Sequence, residues 1–486
     1  MTNQEINNIL KKAEQAFKKY SQKTGKQKAV FLHAIVAEIE NLGDALLETA
    51  HRETNLPLPR LTGERGRTIG QLRLYAAQIE EGSWVDAIID TAMPDRQPLP
   101  KVDLRKMLVP MGPVVVFGSS NFPFAYSTAG GDTASALASG CPVIVKCHPA
   151  HPETSRMVAG AILKAAAKTG MPEGVFAHVE GGIEVGTYLV KHPIVKAVGF
   201  TGSFSGGKAL FDLANKRKVP IPVFAEMGSI NPVFLFENAL VLRGGKIAEQ
   251  LADSVTLGVG QFCTKPGLII GIESDALTHF TKELKEKMQP KPATPMLHQG
   301  IANSFRKGLQ NIENQHLEEF NVFENDAKPN SGYPSVGVTD GATFLKNKAL
   351  HQEVFGPFTL VVKCKNKAEM KRVAEKLEGQ LTASLMAETA DLKGNKDLLQ
   401  AISEKCGRFN LNNVPTGVEV TYAMQHGGPF PSSTDSRYGS VGNSAIFRWV
   451  RPLTYQNFAD EFLPDELKNS NPLRILRRVN GEVSKN

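Results

Sequence analysis

Hydrophobic positions in the first eighty residues recur every three or four, the period of a helix with one buried face. Val30, Leu32, Ile35, Val36, Ile39, Leu42 and Leu46 form the clearest run, and residues 3 to 80 read as helices. The rhythm breaks between 87 and 110, where Pro94, Pro98 and Pro100 interrupt short alternating segments. That stretch predicts a projecting hairpin or a long connection.

From Pro113 the pattern changes again. Short apolar runs at 114–117, 142–145, 175–179 and 197–200 alternate with a small-residue segment at 126–140 and helix-like segments at 153–169 and 184–191. Such alternation predicts a parallel sheet with helices on both faces, whose ligands bind beyond the carboxyl ends of the strands. A second α/β stretch runs from 231 to 430 and opens with the run 231–236 and a helix over 244–258. The tail from 445 is polar, proline-containing and basic.

Length and composition narrow the class. A chain of 486 residues suits two or three domains. With 41% hydrophobic and 22% charged residues it is not a disordered chain. No run reaches the roughly 18 apolar residues of a membrane helix, and the N-terminus lacks a signal-peptide core, so a cytoplasmic location is expected. The net charge of +7 is spread along the chain without interleaved aromatics, which argues against nucleic acid and fits attraction of small anions. Five scattered cysteines without a CxxC pair predict reduced thiols and no metal site.

Several turns carry groups with chemical potential. Cys263 in GVGQFCTKPG sits in a tight loop whose backbone amides would lower its thiol below the ordinary value of about 8.5; a structural cysteine is the alternative. Glu226 in PVFAEMGSINP ends an apolar run, where burial would raise its carboxyl and suit it to activate water, unless it only caps a turn. Asn121 in VVVFGSSNFPF follows a strand and can donate to a developing oxyanion, or simply form the turn. Lys146 ends the strand VIVK; Gly202 and Ser203 lead from another strand into a helix start suited to pyrophosphate, although a strict GxGxxG is absent. Glu353 and Phe355 lie in the turn HQEVFGPF.

Taken in order, SSNFPF, VIVKCHP, FTGS, EMGSINP, GQFCT and EVFGP resemble the aldehyde dehydrogenase superfamily along nearly the whole chain. That resemblance implies an α/β fold with a Rossmann-type cofactor domain (1–85 and 111–230), an α/β catalytic domain (231–430), and an oligomerisation hairpin with the C-terminal tail (86–110 and 431–486). It implies a homodimer or homotetramer and NAD(P)-dependent oxidation of an aldehyde through a thioester. Cys263 would be the nucleophile, Glu226 the general base, and Asn121 with the Cys263 amide the oxyanion hole. Lys146 and Glu353 would hold cofactor ribose, Ser203 and Gly202 would lie at the pyrophosphate, and Phe355 near the nicotinamide.

Where many NAD-preferring members carry a glutamate three residues after the lysine, this chain has Pro149. Loss of that carboxylate favours NADP, with NAD still open and His148 and Lys208 as candidate phosphate neighbours. The segments 53–73, 412–420 and 432–467 look like those of 2,5-dioxopentanoate dehydrogenases, and NADP-linked fatty aldehyde dehydrogenases share much of the layout. An acidic aldehyde needs anchors, for which Arg65, Arg67 and Gln71 are candidates, with solvent-facing charges as the alternative. Two readings come from other classes. A thiol hydrolase would need a histidine partner, and none stands in these motifs; a catalytically silent binding protein would have lost Cys263 or Glu226.

Overall fold

The computed structural model describes residues 1–485. Four helices open the chain: α1 (Asn3–Tyr20), α2 (Gly25–Asn41), α3 (Gly43–Thr54) and α4 (Leu58–Glu81). Thr2 and Thr24 each begin a helix with a reciprocal capping box, to Glu5 and Gln27, so the first two boundaries are set locally. α4 starts behind Pro57 and stops at Gly82, which takes the left-handed conformation. The buried face of α2 is Ala29, Leu32, Ile35, Val36 and Ile39 together with Phe31. Val30, expected on that face, is 55% exposed. A run of mostly apolar neighbours hides which side of a helix turns inward.

The next residues form β1 (Ile88–Asp90) and β2 (Leu104–Pro110), an antiparallel pair. Then come β3 (Val114–Phe117), α5 (Gly131–Ser139), β4 (Val143–Lys146), α6 (Pro152–Lys168), β5 (Phe176–Val179), α7 (Ile183–Lys191), β6 (Ala197–Thr201), α8 (Phe204–Asn215) and β7 (Val223–Glu226). The five strands make one sheet in the order β5-β4-β3-β6-β7, parallel throughout. The chain runs outward from β3 to β5 and returns on the other side at β6. Ligands of open α/β sheets lie at such a reversal of strand order.

A second sheet contains β8 (Pro232–Leu235), β9 (Leu268–Ile272), β10 (Glu319–Val322), β11 (Ser335–Asp340), β12 (Phe358–Cys364), β13 (Gln380–Met386) and β14 (Cys406–Leu411). Its order is β10-β11-β12-β9-β8-β13-β14, with only β10 antiparallel. Between β8 and β9 runs α9 (Glu237–Thr256), broken at Arg243, where the backbone leaves helical geometry. The helix predicted from 244 is thus its second limb. The tail adds β15 (Val450–Gln456), β16 (Arg477–Val479) and β17 (Glu482–Ser484) to the hairpin, giving a third sheet β15-β2-β1-β16-β17. No helix among the described residues is long and apolar enough to cross a membrane.

Candidate active site

The loops that follow the first sheet meet the loops that precede the strands of the second. Asn121 lies just beyond β3, Lys146 ends β4, Gly202 and Ser203 follow β6, and Glu226 ends β7. From the other side, Ser229–Asn231 precede β8, Cys263 precedes β9 and Glu353 precedes β12. The site therefore joins carboxyl ends of one sheet to amino ends of the other, whereas the sequence predicted carboxyl ends only.

Backbone geometry fixes the cysteine loop. After α9 the chain turns through Gly258 and Val259, both left-handed, to Gly260 at φ 62°. A Cβ at Gly260 would stand 2.3 Å from the backbone of Gly356, so the cysteine loop and the FGP turn touch main chain to main chain. Asn231 Nδ2 donates to the Cys263 and Lys265 carbonyls at 2.8 and 3.0 Å. Gln380 Oε1 in turn accepts from the Ile230 and Asn231 amides and the Ser229 hydroxyl. Cys263 is thus held by residues on three separate segments.

One face of α4 covers the asparagine loop. Arg60, Glu64, Arg67 and Gln71 follow at spacings of four, three and four and share that face. Glu64 accepts from the Phe124 and Ala125 amides at 2.8 and 3.0 Å. Arg60 donates to the Asn121 carbonyl at 2.7 Å, with its guanidinium 4.8 Å from the Phe122 ring centre and 5.0 Å from that of Phe262. A single cation therefore grips the residue after Asn121 and the residue before Cys263. Asn121 Nδ2 closes the link by donating to the Gln261 carbonyl at 3.2 Å.

Arg67 stands over Tyr126 and donates to its hydroxyl at 3.1 Å, leaving its buried Nε without a partner. Gln71 is buried against Gly131, with its Nε2 unpartnered. Arg65 turns elsewhere and donates to the Gly43 carbonyl at 2.8 Å. It falls off the face shared by the other four because it follows Glu64 by one residue, about 100° around the helix. Arg408, which the sequence did not single out, joins Arg67 in acting on Cys263 and Tyr126, and its buried Nε is likewise unpartnered.

Cys263 and Glu226 meet around a histidine. His426 Nε2 lies 3.4 Å from Cys263 Sγ and 2.9 Å from Glu226 Oε1. Both His426 and Glu226 are buried. The imidazole stands beside Glu226 Oε1 as an ion-pair neighbour, while Ser440 donates to Oε2 at 2.6 Å. Burial alone would raise the Glu226 carboxyl, but nearby His426 and the Ser440 hydrogen bond outweigh it and hold it below the ordinary value. Burial and the Glu226 charge push the Cys263 thiol well up. Both directions reverse the sequence expectation, which counted desolvation for the carboxyl and loop amides for the thiol but had no histidine and no neighbouring carboxylate.

That histidine also removes the argument against a thiol hydrolase. It sits in YAMQHGGPF, between two segments already noted for their family likeness, and comes 163 residues after Cys263. The available signal was a histidine followed by two glycines and a proline, a backbone able to approach closely. Gly439 confirms the crowding, since a Cβ there would lie 2.2 Å from the His426 carbonyl oxygen.

On the cofactor side, Ser203 caps α8 by accepting from the Gly206 amide at 3.2 Å, leaving an exposed helix start. Lys146 donates to the Cys147 carbonyl at 2.9 Å, and burial lowers its ammonium. Burial raises the Glu353 carboxyl to about 7 despite Lys265 beside it. Its oxygen occupies the space where a Cβ at Gly228 would go, at 2.5 Å. Phe355 and Pro149 are partly exposed or exposed beside these turns. These donors and the exposed helix start fit a dinucleotide with its pyrophosphate at α8. The two expected phosphate neighbours fare worse. Lys208 is tied to Asp212 at 2.7 Å, and burial together with His151 and His298 pulls the His148 imidazole down to about 3, leaving it uncharged.

Comparison with known proteins follows the same direction. The model of the aldehyde dehydrogenase family matches residues 1–449. A relative from Azospirillum brasilense, alpha-ketoglutaric semialdehyde dehydrogenase 2, is 51% identical over 97% of this chain and 90% of its own. Alpha-ketoglutaric semialdehyde dehydrogenase of Acinetobacter baylyi is 47% identical over 99% of this chain and 92% of its own. Among solved structures, methylmalonate-semialdehyde dehydrogenase from Oceanimonas doudoroffii superposes with a TM-score of 0.78 at 17% identity, covering 94% of this chain and 91% of that one.

Proposed function

The chain belongs to the aldehyde dehydrogenase family, and from that premise we propose that it oxidises 2,5-dioxopentanoate to 2-oxoglutarate with NADP as the favoured acceptor. It is an NAD(P)-dependent enzyme that converts aldehydes to carboxylic acids. The observation that carries the residue assignment is the convergence of Cys263, Glu226 and His426, with the Asn121 side chain tied to the loop that carries the cysteine.

In this reading the Cys263 thiol yields its proton to His426 and the sulfur adds to the aldehyde carbon. The Asn121 amide and the Cys263 N–H hold the resulting oxyanion; loss of one such donor typically costs about 2.7–4 kcal/mol. When bound, the nicotinamide supplies the acceptor for hydride leaving that carbon. A thioester remains on Cys263. Glu226, held ionised by His426 and Ser440, then takes a proton from water as it attacks the thioester carbonyl, releasing acid and thiol. Lys146, Glu353, Ser203 and Gly202 would hold the dinucleotide.

Support for the substrate is chemical. Arg67 and Arg408 both act electrostatically on the cysteine and each keeps an unpartnered buried Nε; Arg408 gives its terminal nitrogens to the Gly417 and Pro415 carbonyls, which leaves Arg67 as the better anchor for a carboxylate-bearing aldehyde. The absence of a carboxylate at Pro149 supports NADP. A second reading, a broad or fatty aldehyde dehydrogenase, draws on the apolar cluster of Phe122, Phe262, Val418, Val420 and Met424 at the same place. Self-association through the third sheet is supported by exposed Leu99, Phe458, Phe462 and Val483 on or beside it. Free cysteines support a reducing, cytoplasmic setting.

The test offers purified enzyme a panel of keto-acid, simple and long-chain aldehydes, each with NAD and with NADP. Highest kcat/KM for 2,5-dioxopentanoate with NADP is expected. Preference for long apolar aldehydes would replace the first reading with the second, and ester cleavage without cofactor-dependent oxidation would favour a thiol hydrolase.

A further inference from the structure

A thiol, an imidazole nitrogen and a carboxylate oxygen face one point in the protein. Cys263 Sγ, His426 Nε2 and a Glu226 oxygen all lie within 4.8 Å of one another. Tetrahedral zinc, with bonds of about 2.0–2.3 Å, sets neighbouring ligand atoms about 3.4–3.6 Å apart. The sulfur–nitrogen separation of 3.4 Å already meets that spacing. The nitrogen–oxygen separation of 2.9 Å has to open by about half an ångström, and the sulfur and oxygen, which lie within 4.8 Å, have to settle at the same spacing. Glu226 Oε1 is buried in the cluster, makes no hydrogen bond of good geometry and has the His426 nitrogen as its ion-pair neighbour, a place a cation can take between the two.

We propose that this cluster is a binding site for Zn²⁺, held by Cys263 Sγ, His426 Nε2 and the Glu226 carboxylate, and that occupancy reversibly blocks aldehyde oxidation. The fourth position is left to water or an aldehyde oxygen. Thiolate with imidazole selects zinc or cobalt over magnesium and calcium, which prefer all-oxygen ligands. The thiol proton passes to solvent as the metal enters, so charge is balanced by ligand deprotonation. Inhibition follows because the metal takes the sulfur that must attack the substrate. The inhibitory half of the inference rests on the proposed role of Cys263; the binding half does not.

The test uses the full-length enzyme after EDTA treatment and dialysis, without cofactor. Zn²⁺ alone is titrated against a chromophoric chelator, and Co²⁺ serves as an optical probe. One Zn²⁺ per chain is expected, with loss of NADP reduction that EDTA restores. Co²⁺ should give a thiolate charge-transfer band, absent in Cys263→Ser. His426→Gln should weaken Zn²⁺ binding by at least about tenfold, the loss seen even for groups that only support a ligand. Melting temperature and cofactor binding check that the variant is folded; should it fail, Glu226→Gln takes its place. Zn²⁺ affinity unchanged in a folded ligand variant, or a Co²⁺ spectrum without the thiolate band, overturns the proposal. An enzyme that binds Zn²⁺ as described but ignores 2,5-dioxopentanoate would overturn the substrate reading instead.

Discussion

The Glu226 carboxylate and the Cys263 sulfur share a neighbour, the Nε2 of His426, which stands 2.9 Å from one and 3.4 Å from the other. Burial raises the thiol, and the carboxylate raises it further. Thiolate is the reactive form, so raising the thiol moves the onset of reactivity to higher pH. Alkylation of Cys263 by iodoacetamide should climb with pH through the alkaline range. In Glu226→Gln, with the repelling charge removed, that rise should begin at lower pH. An unmoved or upward-shifted profile would show that Glu226 does not act on the thiol.

Arg60 joins the asparagine and cysteine loops through the Asn121 carbonyl and the rings of Phe122 and Phe262. Lysine keeps the charge but lacks the flat, forked guanidinium. Arg60→Lys should lower kcat by on the order of ten- to a hundredfold, the cost of slight misplacement of reacting groups, with cofactor KM nearly unchanged. Steady-state kinetics decide between this and a purely structural role, which would lower melting temperature without changing kcat in the folded fraction.

Arg67 offers an unpartnered buried Nε beside Tyr126 and the cysteine. Arg67→Ala should raise KM for 2,5-dioxopentanoate about tenfold or more, as loss of a charged hydrogen bond implies, and leave KM for an uncharged aldehyde of similar length largely unchanged. Equal effects on both substrates would remove Arg67 as a carboxylate anchor.

Lys28 tests stability away from the site. Burial lowers its ammonium from the ordinary 10.5 to about 8. Between those values the unfolded chain binds more protons than the native one, so stability rises with pH across that window and is lower, and constant, beneath it. Lys28→Met should be more stable than wild type near neutrality, by on the order of 3 kcal/mol, and the gap should narrow from pH 8 towards 10.5. Thermal melts at several pH values check it; a gap independent of pH contradicts the assignment.

Much of this arrangement was legible in the chain because strand ends announce themselves. Lys146 and Glu226 end short apolar runs, Asn121 and Ser203 lie within four residues of one, and parallel sheets place such ends together. His426 and Gln380 had no such marker. Each is one polar residue far along the chain, brought to the cysteine loop by tertiary packing that local patterns do not encode. Arg60 escaped for a different reason. Helical spacing groups it with Arg67 and Gln71, but only the packed loop shows which face of α4 turns inward, which is also why Arg65 was misplaced.

The central claim is that Cys263 carries the acyl group and Glu226 directs water to release it. Glu226→Gln mixed with 2,5-dioxopentanoate and NADP should produce a single burst of NADPH, close to one per active site, and then turn over at least about a hundredfold more slowly than wild type. Mass spectrometry of the quenched enzyme should find the acyl mass on the peptide containing Cys263. Steady turnover at the wild-type rate, or an adduct on another residue, would contradict the account.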